Sequence, residues 1–428
     1  MPTAAFTTLG CKVNQYETQR ILASFEERGF DIVPFDQPAD IYVINSCSVT
    51  QQAEAKSRQT VRRAARANPE AKVVLTGCYG QFALIRGESL PEASLVVPNP
   101  EKLKTLDRVL AEYPQLAENL QAREEPLYRT PSRHRAVLKV QDGCSVHCAF
   151  CSIPFTRPVM QSLPFAELLE EARQMAALGY KELVLTGVLI GDYGPHNGSS
   201  GPDLTGLIRL LAEIPGIERI RISSIEPTLI TEELIDLIAE NPKLCPHLHI
   251  PLQSGDTGVL GRMNRPYDQP FYLELCSRLR RRIPDFSIST DIMVGFPGED
   301  EAAFQNTIRV VEEAQFCRTH AFRFSPRPGT PAADMADSVQ DSVKEERSKR
   351  LIAQSREAAQ RYNARFLGRE ERLLVETRSK RSGLLSGTSD HYLQIEAPGA
   401  DAYLGRSAMA VIRETSADGC VGEIVSLV

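Results

Sequence analysis

The chain has 428 residues, a net charge of −6, 42% apolar and 24% charged residues, and no tryptophan. A chain of this length and composition is expected to form about three globular domains. No run approaches the roughly 18 consecutive apolar residues of a membrane span, and the first residues lack the pattern of a secretion signal. We therefore expect a cytoplasmic protein whose ten cysteines are metal ligands, catalytic thiols or core residues rather than disulfides.

The N-terminal region alternates short apolar runs with helical stretches. Strands are predicted at AAFTTLG, DIYVINS, KVVLTG and ASLVVP, and helices at residues 14–28 and 51–67. This alternation predicts a parallel sheet covered by helices. Residues 100–135 predict a further helix followed by a polar connector that contains residues 123–126.

The same alternation restarts at Ala136 on a larger scale. Six strands are predicted at AVLKV, ELVLTGV, RIRISSI, HLHIPL, SISTDIMVGF and HAFRFS. Helices are predicted between them at residues 164–178, 203–214, 269–282 and 301–314, and a glycine-rich loop at 191–202. Six β-α units of this kind form a full or partial barrel, or alternatively an open six-stranded parallel sheet.

The last part of the chain has a different pattern. A charged helix at residues 342–365 leads to short alternating segments with turn residues between them, which predict a small five-stranded barrel. The fold class is therefore α/β with a C-terminal all-β barrel. The predicted domains are residues 1–120, 130–365 and 366–428.

Three clusters of cations offset the acidic balance locally. They contain Lys56, Arg58, Arg62, Arg63 and Arg66; Arg278, Arg280, Arg281 and Arg282; and Lys344, Arg347, Lys349 and Arg350. Each cluster is either a phosphate-binding patch or a solvated helix face.

The segment QDGCSVHCAFC contains three cysteines, Cys144, Cys148 and Cys151, within a stretch of eight residues. It directly follows the first strand of the central region. A loop with these spacings can place three thiolates on three irons of a [4Fe–4S] cluster and leave the fourth iron open. Structural zinc sites prefer four ligands in paired C-x-x-C elements, and the sequence has no second pair. The other alternative is that the three cysteines are unrelated residues of the hydrophobic core, but three of them are not expected in such a polar loop.

Three further cysteines, Cys11, Cys47 and Cys78, each follow a predicted strand of the N-terminal sheet. The carboxyl ends of parallel strands share one edge, where open α/β folds bind ligands. Small residues packed at strand ends are the alternative, but three of them favour a second cluster held by three thiolates.

Longer sequence words surround these cysteines: TLGCKVNQYETQ, NSCSVT, TGCYGQ, CxxxCxFC, LTGV, RISSIEP, HLHIPLQSGD, TDIMVGFPGE and SPRPGTPAA. From about Thr7 to the C-terminus they resemble the methylthiotransferases of the radical S-adenosylmethionine superfamily. Within that family, Lys12, Asn14, Gln15 and Glu17 most resemble the branch that modifies N6-threonylcarbamoyladenosine at position 37 of tRNA.

The resemblance implies a cluster domain, a radical S-adenosylmethionine domain and an RNA-binding barrel called TRAM. It implies two [4Fe–4S] clusters facing one cavity and two S-adenosylmethionine molecules per turnover. One donates a methyl group to a sulfur on the N-terminal cluster, and the other gives the radical that removes hydrogen from C2 of the adenine. The product would be the 2-methylthio derivative.

The resemblance also implies contact residues. Those expected at S-adenosylmethionine follow the barrel strands: Thr186, Gly187, Ser224, Glu226, Gln253 and Asp291. Those expected at RNA are Arg157, Arg327, Arg378, Lys380 and Arg381. Two departures bear on the RNA contacts. Pro158 and Gln161 replace a glycine and an arginine common in the family, and residues 366–428 carry 7 Lys/Arg against 9 Asp/Glu.

The expected partners are a tRNA anticodon stem-loop, an electron donor such as flavodoxin or ferredoxin, and a sulfur donor. No membrane contact is expected, and the chain is expected to be a monomer. Two alternatives remain open at this point. One is a methylthiotransferase acting on isopentenyladenosine or on a ribosomal-protein aspartate, and the other is a non-catalytic RNA-binding zinc protein.

Overall fold

The computed structural model describes residues 1–118, 120–122, 134–198 and 201–428. Residues 123–126 of the predicted connector, and residues 199–200 of the predicted loop, lie outside the described residues. The chain divides into two compact units. The first contains Met1–Pro131, Asp142–Ser145 and Cys151–Met160, and the second contains Ser132–Gln141, Val146–Phe150 and Gln161–Val428.

The N-terminal region forms a five-stranded parallel sheet in the order β2-β1-β3-β4-β5. Its elements are β1 (Thr3–Thr8), α1 (Lys12–Arg28), β2 (Asp31–Val33), β3 (Ile41–Ser46), α2 (Gln51–Ala67), β4 (Lys72–Thr76), α3 (Gly77–Arg86), β5 (Leu95–Val96) and α4 (Thr105–Glu112). The central strand β3 is buried along its whole length, as its continuous apolar sequence predicts. Helix α1 ends where Gly29 adopts a left-handed φ of 105°.

The central region holds two three-stranded parallel sheets, β10-β9-β6 and β11-β12-β13. Its elements are β6 (Arg135–Lys139), β7 (Gln141–Asp142), α5 (Ile153–Thr156), β8 (Gln161–Ser162), α6 (Phe165–Ala177), β9 (Glu182–Thr186), α7 (Leu204–Ala212), β10 (Arg219–Ile222), α8 (Glu232–Glu240), β11 (His247–His249), α9 (Thr257–Arg262), α10 (Gln269–Arg282), β12 (Ser287–Val294), α11 (Glu301–Ala314) and β13 (Arg318–Arg323). Isolated bridges Ile220↔Leu244 and Ser224↔His249 join the two sheets. The six strands of the two sheets therefore follow one another in chain order, as the six β-α units predict.

The C-terminal region is a closed five-stranded barrel in the order β14-β15-β16-β18-β17. Its elements are α12 (Asp341–Ala364), β14 (Glu370–Arg378), β15 (Leu385–Ser389), β16 (Gln394–Ala397), β17 (Ser407–Ser416) and β18 (Gly419–Leu427). Tyr362 and Phe366, at and just after the end of α12, pack into the barrel core against strand residues such as Ile395 and Ile412. The predicted all-β barrel is confirmed.

A buried ion cluster fastens this barrel to β9 and β10. Arg221 donates to Glu182 at 2.9 Å and to the carbonyl of Ser389 at 2.9 Å. Arg219 also pairs with Glu182 and donates to the carbonyl of Thr388. Burial alone would raise the pKa of Glu182, but Arg221 and Arg219 lower it to about 2. Among the described residues, no helix is both long and apolar enough to cross a membrane.

Candidate functional site

The structure brings Cys11, Cys47 and Cys78 to one edge of the N-terminal sheet. Strands β1, β3 and β4 are hydrogen-bonded neighbours, with Thr8 paired to Asn45 and Asn45 paired to Thr76. Cys11 caps the start of α1 and Cys47 directly follows β3. Cys78 lies in the first turn of α3, a helix that the sequence analysis missed.

Two glycines allow this close approach. A Cβ atom added at Gly10 would lie 2.7 Å from Cys47 Sγ, and Gly10 has a φ of 97°. Gly77 has a φ of 89° and forms a bridge with Ser46, the residue before Cys47. Glycine tolerates both the positive φ and the missing space. No disulfide joins cysteines among the described residues, and thiolates are the usual protein ligands of iron–sulfur clusters.

A buried ion network lies beside this edge. Lys102 Nζ donates to Glu17 Oε2 at 2.6 Å, and Arg157 Nη2 donates to the same oxygen at 2.8 Å. Arg157 also donates to Asn14 Oδ1 at 2.9 Å and to Asp142 Oδ1 at 2.8 Å. The network ties α1 to the segment before α4 and to the segments that flank the CxxxCxxC loop.

The two cations of this network interact electrostatically with Cys78. Burial lowers the pKa of Lys102; Glu17 opposes this, Arg157 lowers the pKa further and Cys78 acts to raise it, so that the pKa remains below its usual value. Burial also acts to lower the pKa of Arg157, but Glu17, Asp142 and Cys78 together raise it well above its usual value. Positive charge therefore acts on a thiol that must be a thiolate to bind metal.

The loop of Cys144, Cys148 and Cys151 begins at Gly143, whose φ of 77° and close approach to the backbone of Val159 require glycine. Cys151 Sγ accepts a hydrogen bond from the backbone of Ile153 at 3.4 Å. Within the other unit, the backbone of Ala149 donates to Met263 at 2.9 Å, and Phe150 packs edge-on against Phe296.

Arg265 is a site residue that the sequence analysis missed. Its Nη1 donates to Cys148 Sγ at 2.9 Å, while Nη2 donates to both oxygens of Glu226 at 2.7 and 2.6 Å. Burial raises the pKa of Cys148 and Arg265 opposes that rise. Burial also raises the pKa of Glu226, and Arg265 again opposes the rise. No spacing rule links Arg265 to Cys148, which lies 117 positions away.

The residues expected at S-adenosylmethionine all lie on or after strands of the central region. Thr186 ends β9, Gly187 follows it, and a Cβ atom at Gly187 would come within 3.2 Å of Gln141. Ser224 bridges to the strand residue His249. Gln253 has a φ of 65° and its backbone donates to Asp291 at 2.8 Å.

Asp291 also belongs to a cluster with two histidines. His249 Nε2 lies 3.2 Å from Asp291 Oδ2, and one ligand-type atom each from His249, Asp291 and His320 lies within 4.8 Å of the others. Ser289 Oγ lies 3.0 Å from Nδ1 of His249. Asp291 therefore has polar partners of its own at the position expected to contact the cofactor.

The residues expected at RNA have different settings. Arg157 and Arg327 are only 5% and 7% exposed, so in this conformation neither guanidinium is presented to RNA. For Arg157, the carboxylates of Glu17 and Asp142 occupy the guanidinium donors. Arg378 is exposed but pairs with Asp401 and donates to the carbonyls of Gly383 and Gly399, which orders the adjoining loops. Two exposed cations remain on the loop after β14: Lys380 and Arg381.

Comparisons with known proteins agree with this arrangement. The family model of the Radical SAM superfamily matches residues 138–311, and that of Uncharacterized protein family UPF0004 matches residues 3–96. The radical S-adenosylmethionine methyltransferase TsrM from Kitasatospora setae superposes with a TM-score of 0.56 at 16% identity, covering 78% of this chain and 77% of that chain. The cobalamin-dependent enzyme OxsB gives a TM-score of 0.51 at 10% identity, covering 84% of this chain and 56% of that one. The central fold is thus that of the radical S-adenosylmethionine enzymes.

Curated relatives match this chain over nearly its whole length and identify its family within the radical S-adenosylmethionine enzymes. "Threonylcarbamoyladenosine tRNA methylthiotransferase MtaB" of Bacillus subtilis is 37% identical over 100% of this chain and 97% of its own. The protein of the same name from Thermotoga maritima is 38% identical over 92% and 91%. The "tRNA-2-methylthio-N(6)-dimethylallyladenosine synthase" of Erythrobacter litoralis is 32% identical over 98% and 97%. The chain belongs to the methylthiotransferase family of radical S-adenosylmethionine enzymes.

Proposed function

We propose that this protein is an enzyme that converts N6-threonylcarbamoyladenosine at position 37 of tRNA to its 2-methylthio derivative. The observation that carries the proposal is the meeting of Cys11, Cys47 and Cys78 on adjacent strand ends, in a chain that also has the CxxxCxxC loop. The printed name of the Bacillus subtilis relative supports the substrate.

The residues present fit two [4Fe–4S] clusters and S-adenosylmethionine. Cys11, Cys47 and Cys78 would hold one cluster, and Cys144, Cys148 and Cys151 the other, with S-adenosylmethionine on its open iron. When bound, these groups supply methyl transfer and radical hydrogen abstraction. Thr186, Gly187, Ser224, Gln253 and Asp291 would orient the cosubstrate, and Glu226 would do so while it holds Arg265 in place.

The remaining parts of the proposal concern organisation and partners. The chain would consist of a cluster domain (1–120), a radical S-adenosylmethionine domain (130–365) and a TRAM-like barrel (366–428). Lys380 and Arg381 would contact RNA phosphates at the edge of that barrel. The enzyme would work in the cytoplasm as a monomer, with an electron donor such as flavodoxin or ferredoxin and with a sulfur donor.

The cluster assignment is tested by anaerobic reconstitution followed by iron and sulfide counts. We expect about eight irons per chain, and about four after Cys47→Ala or after Cys148→Ala. Cys276→Ala is the matched control, because Cys276 is a buried thiol of α10 outside both sets. Bound zinc without iron in the wild type would support the RNA-binding zinc protein instead.

A second candidate substrate is dimethylallyladenosine, because relatives named for it are 32–33% identical over most of the chain. Mass spectrometry of tRNA nucleosides from a strain lacking the gene separates the two. We expect 2-methylthio-threonylcarbamoyladenosine to disappear and to return with the wild-type gene but not with the Cys148→Ala gene. Loss of the dimethylallyl product alone would move the assignment to the second candidate.

A further inference from the structure

Helix α2 presents a row of cations along one side of the N-terminal sheet. Ser57, Thr60, Val61 and Ala64 are the buried side of this helix. The opposite side lines a groove of about 980 Å³ together with residues 7–9, at the end of β1. Its cations are those of the first cluster in the sequence: Lys56, Arg58, Arg62, Arg63 and Arg66.

Most of this charge is not neutralised by protein. Arg62 pairs with Glu92 at 3.0 Å, and Arg58 lies 3.7 Å from Glu88. Across the described ranges, Lys56, Arg63 and Arg66 are exposed and form no ion pair with a carboxylate. The other clusters on helices differ in this respect.

Helix α10 makes the contrast clear. Arg278, Arg281 and Arg282 pair with Glu232, Glu274 and Asp236 at 2.8, 2.6 and 2.7 Å. That cluster is a solvated helix face whose charge is already balanced. The α2 row has an excess of at least three positive charges, which requires either counterions or an anionic partner.

The dimensions of the row fit a polynucleotide strand. Lys56 to Arg66 spans ten residues of helix, about 15 Å, which is roughly the axial length of four nucleotides in one helical strand. The groove reaches Leu9, two residues before Cys11. A strand lying in it would pass the edge that carries the N-terminal cysteines.

We propose that the α2 groove binds the phosphate backbone of the substrate tRNA. This inference rests on the proposed function for the identity of the RNA. It also accounts for how a chain with an acidic C-terminal barrel, 7 Lys/Arg against 9 Asp/Glu in residues 366–428, holds a polyanion. Contacts of this kind position the RNA and carry no sequence information.

The test compares two triple variants of the full-length protein reconstituted with its clusters. The first carries Lys56→Gln, Arg63→Gln and Arg66→Gln, and the matched control carries Arg278→Gln, Arg281→Gln and Arg282→Gln. Dissociation constants for unmodified tRNA are measured by filter binding between 50 and 200 mM salt. Iron counts and thermal unfolding verify that both variants are folded and loaded.

We expect the α2 variant to bind tRNA more weakly and to lose salt dependence. Three lost phosphate contacts reduce the slope of log K against log salt by about 2 to 3. The wild type should therefore lose about 20- to 40-fold more affinity than the α2 variant between the two salt concentrations. The α10 control should keep the wild-type slope.

Equal slopes for the wild type and the α2 variant would overturn the inference, as would an equal loss in the α10 control. The proposed function is judged separately, by whether the wild type makes the 2-methylthio nucleoside. A chain that binds tRNA through α2 but leaves the adenosine unmodified would refute the function and keep the groove. If the wild type modifies tRNA but the wild type and the α2 variant have equal salt slopes, the proposed function is kept and the α2 groove is refuted as the RNA-binding site.

Discussion

Replacing Glu17 with glutamine should destabilise the N-terminal sheet by about 3–5 kcal/mol, because it leaves Lys102 buried without its anion. Both side chains are about 97% buried or more, and Nζ lies 2.6 Å from the carboxylate. Burial already lowers the pKa of Lys102 while Glu17 opposes it. Without Glu17, the ammonium is expected to lose its proton in the folded state. Removing that proton at pH 7 from a group that titrates near 10.4 when unfolded costs about 5 kcal/mol.

The pH dependence identifies this cause. In the variant the unfolded Lys102 binds one proton more than the folded one, so stability rises with pH. The slope should approach about 1.4 kcal/mol per pH unit between pH 7 and the pKa of free lysine. The wild type should show a smaller slope, because Glu17 opposes the lowering of the Lys102 pKa by burial.

The assay is urea unfolding of the metal-free chain, read by pulsed hydrogen exchange of the peptide that covers β3, so that it reports this sheet alone. Lys102→Met should cost less than Glu17→Gln, because Glu17 keeps Arg157. The double variant should be more stable than Glu17→Gln alone. The reasoning would be refuted if the two single variants lost equal free energy of unfolding. It would also be refuted if their losses were strictly additive in the double variant and the stability of Glu17→Gln did not depend on pH.

Three further predictions concern other contacts. Gly10→Ala should lower the iron count from about eight to about four per chain, because the added methyl group meets Cys47 Sγ at 2.7 Å; an unchanged count would contradict this geometry. Glu182, with a folded pKa of about 2, should stabilise the barrel attachment by about 3 kcal/mol above its unfolded pKa, and this contribution should disappear as pH falls from about 4.5 towards 2. Urea midpoints of the wild type and Glu182→Gln across that range should converge at the acidic end. Arg265→Met should shift the reduction potential of the second cluster to a more negative value, because a cation beside Cys148 Sγ favours the added electron. Redox titration followed by electron paramagnetic resonance measures this, with Arg262→Met, an exposed arginine of α9, as the control.

The sequence predicted the elements whose patterns are long or repeated. Residues 51–67, 269–282 and 301–314 are helices with those bounds in the structure, and the six strands of the two central sheets were all predicted. Strand β2 has only three residues, too few to show alternation. Helix α3 begins with GCYG, whose glycines argue against a helix although tertiary contacts with β3 and β4 stabilise one.

The cysteines were accessible to sequence reasoning because each set has a local signal, either tight spacing or a position after a strand. Their charged neighbours had none. Arg157 and Glu17 are 140 positions apart, and Arg157 was expected at RNA because it matches an arginine common in the family that the sequence resembles. Only the fold shows that the guanidinium is enclosed.

The same electrostatic argument applies to two groups of buried cations, Lys102 with Arg157 in one and Arg265 in the other. A thiolate with low exposure is costly, and an adjacent cation reduces that cost. A lone buried cation would be equally costly, so each is held by a carboxylate: Glu17 for Lys102 and Arg157, and Glu226 for Arg265. The carboxylate also fixes where the positive charge points. Since Arg265 is held by two short hydrogen bonds, its remaining amino group has little freedom to leave Cys148. A substitution of Glu226 should therefore act on the second cluster through Arg265 even if Glu226 itself touches no cofactor.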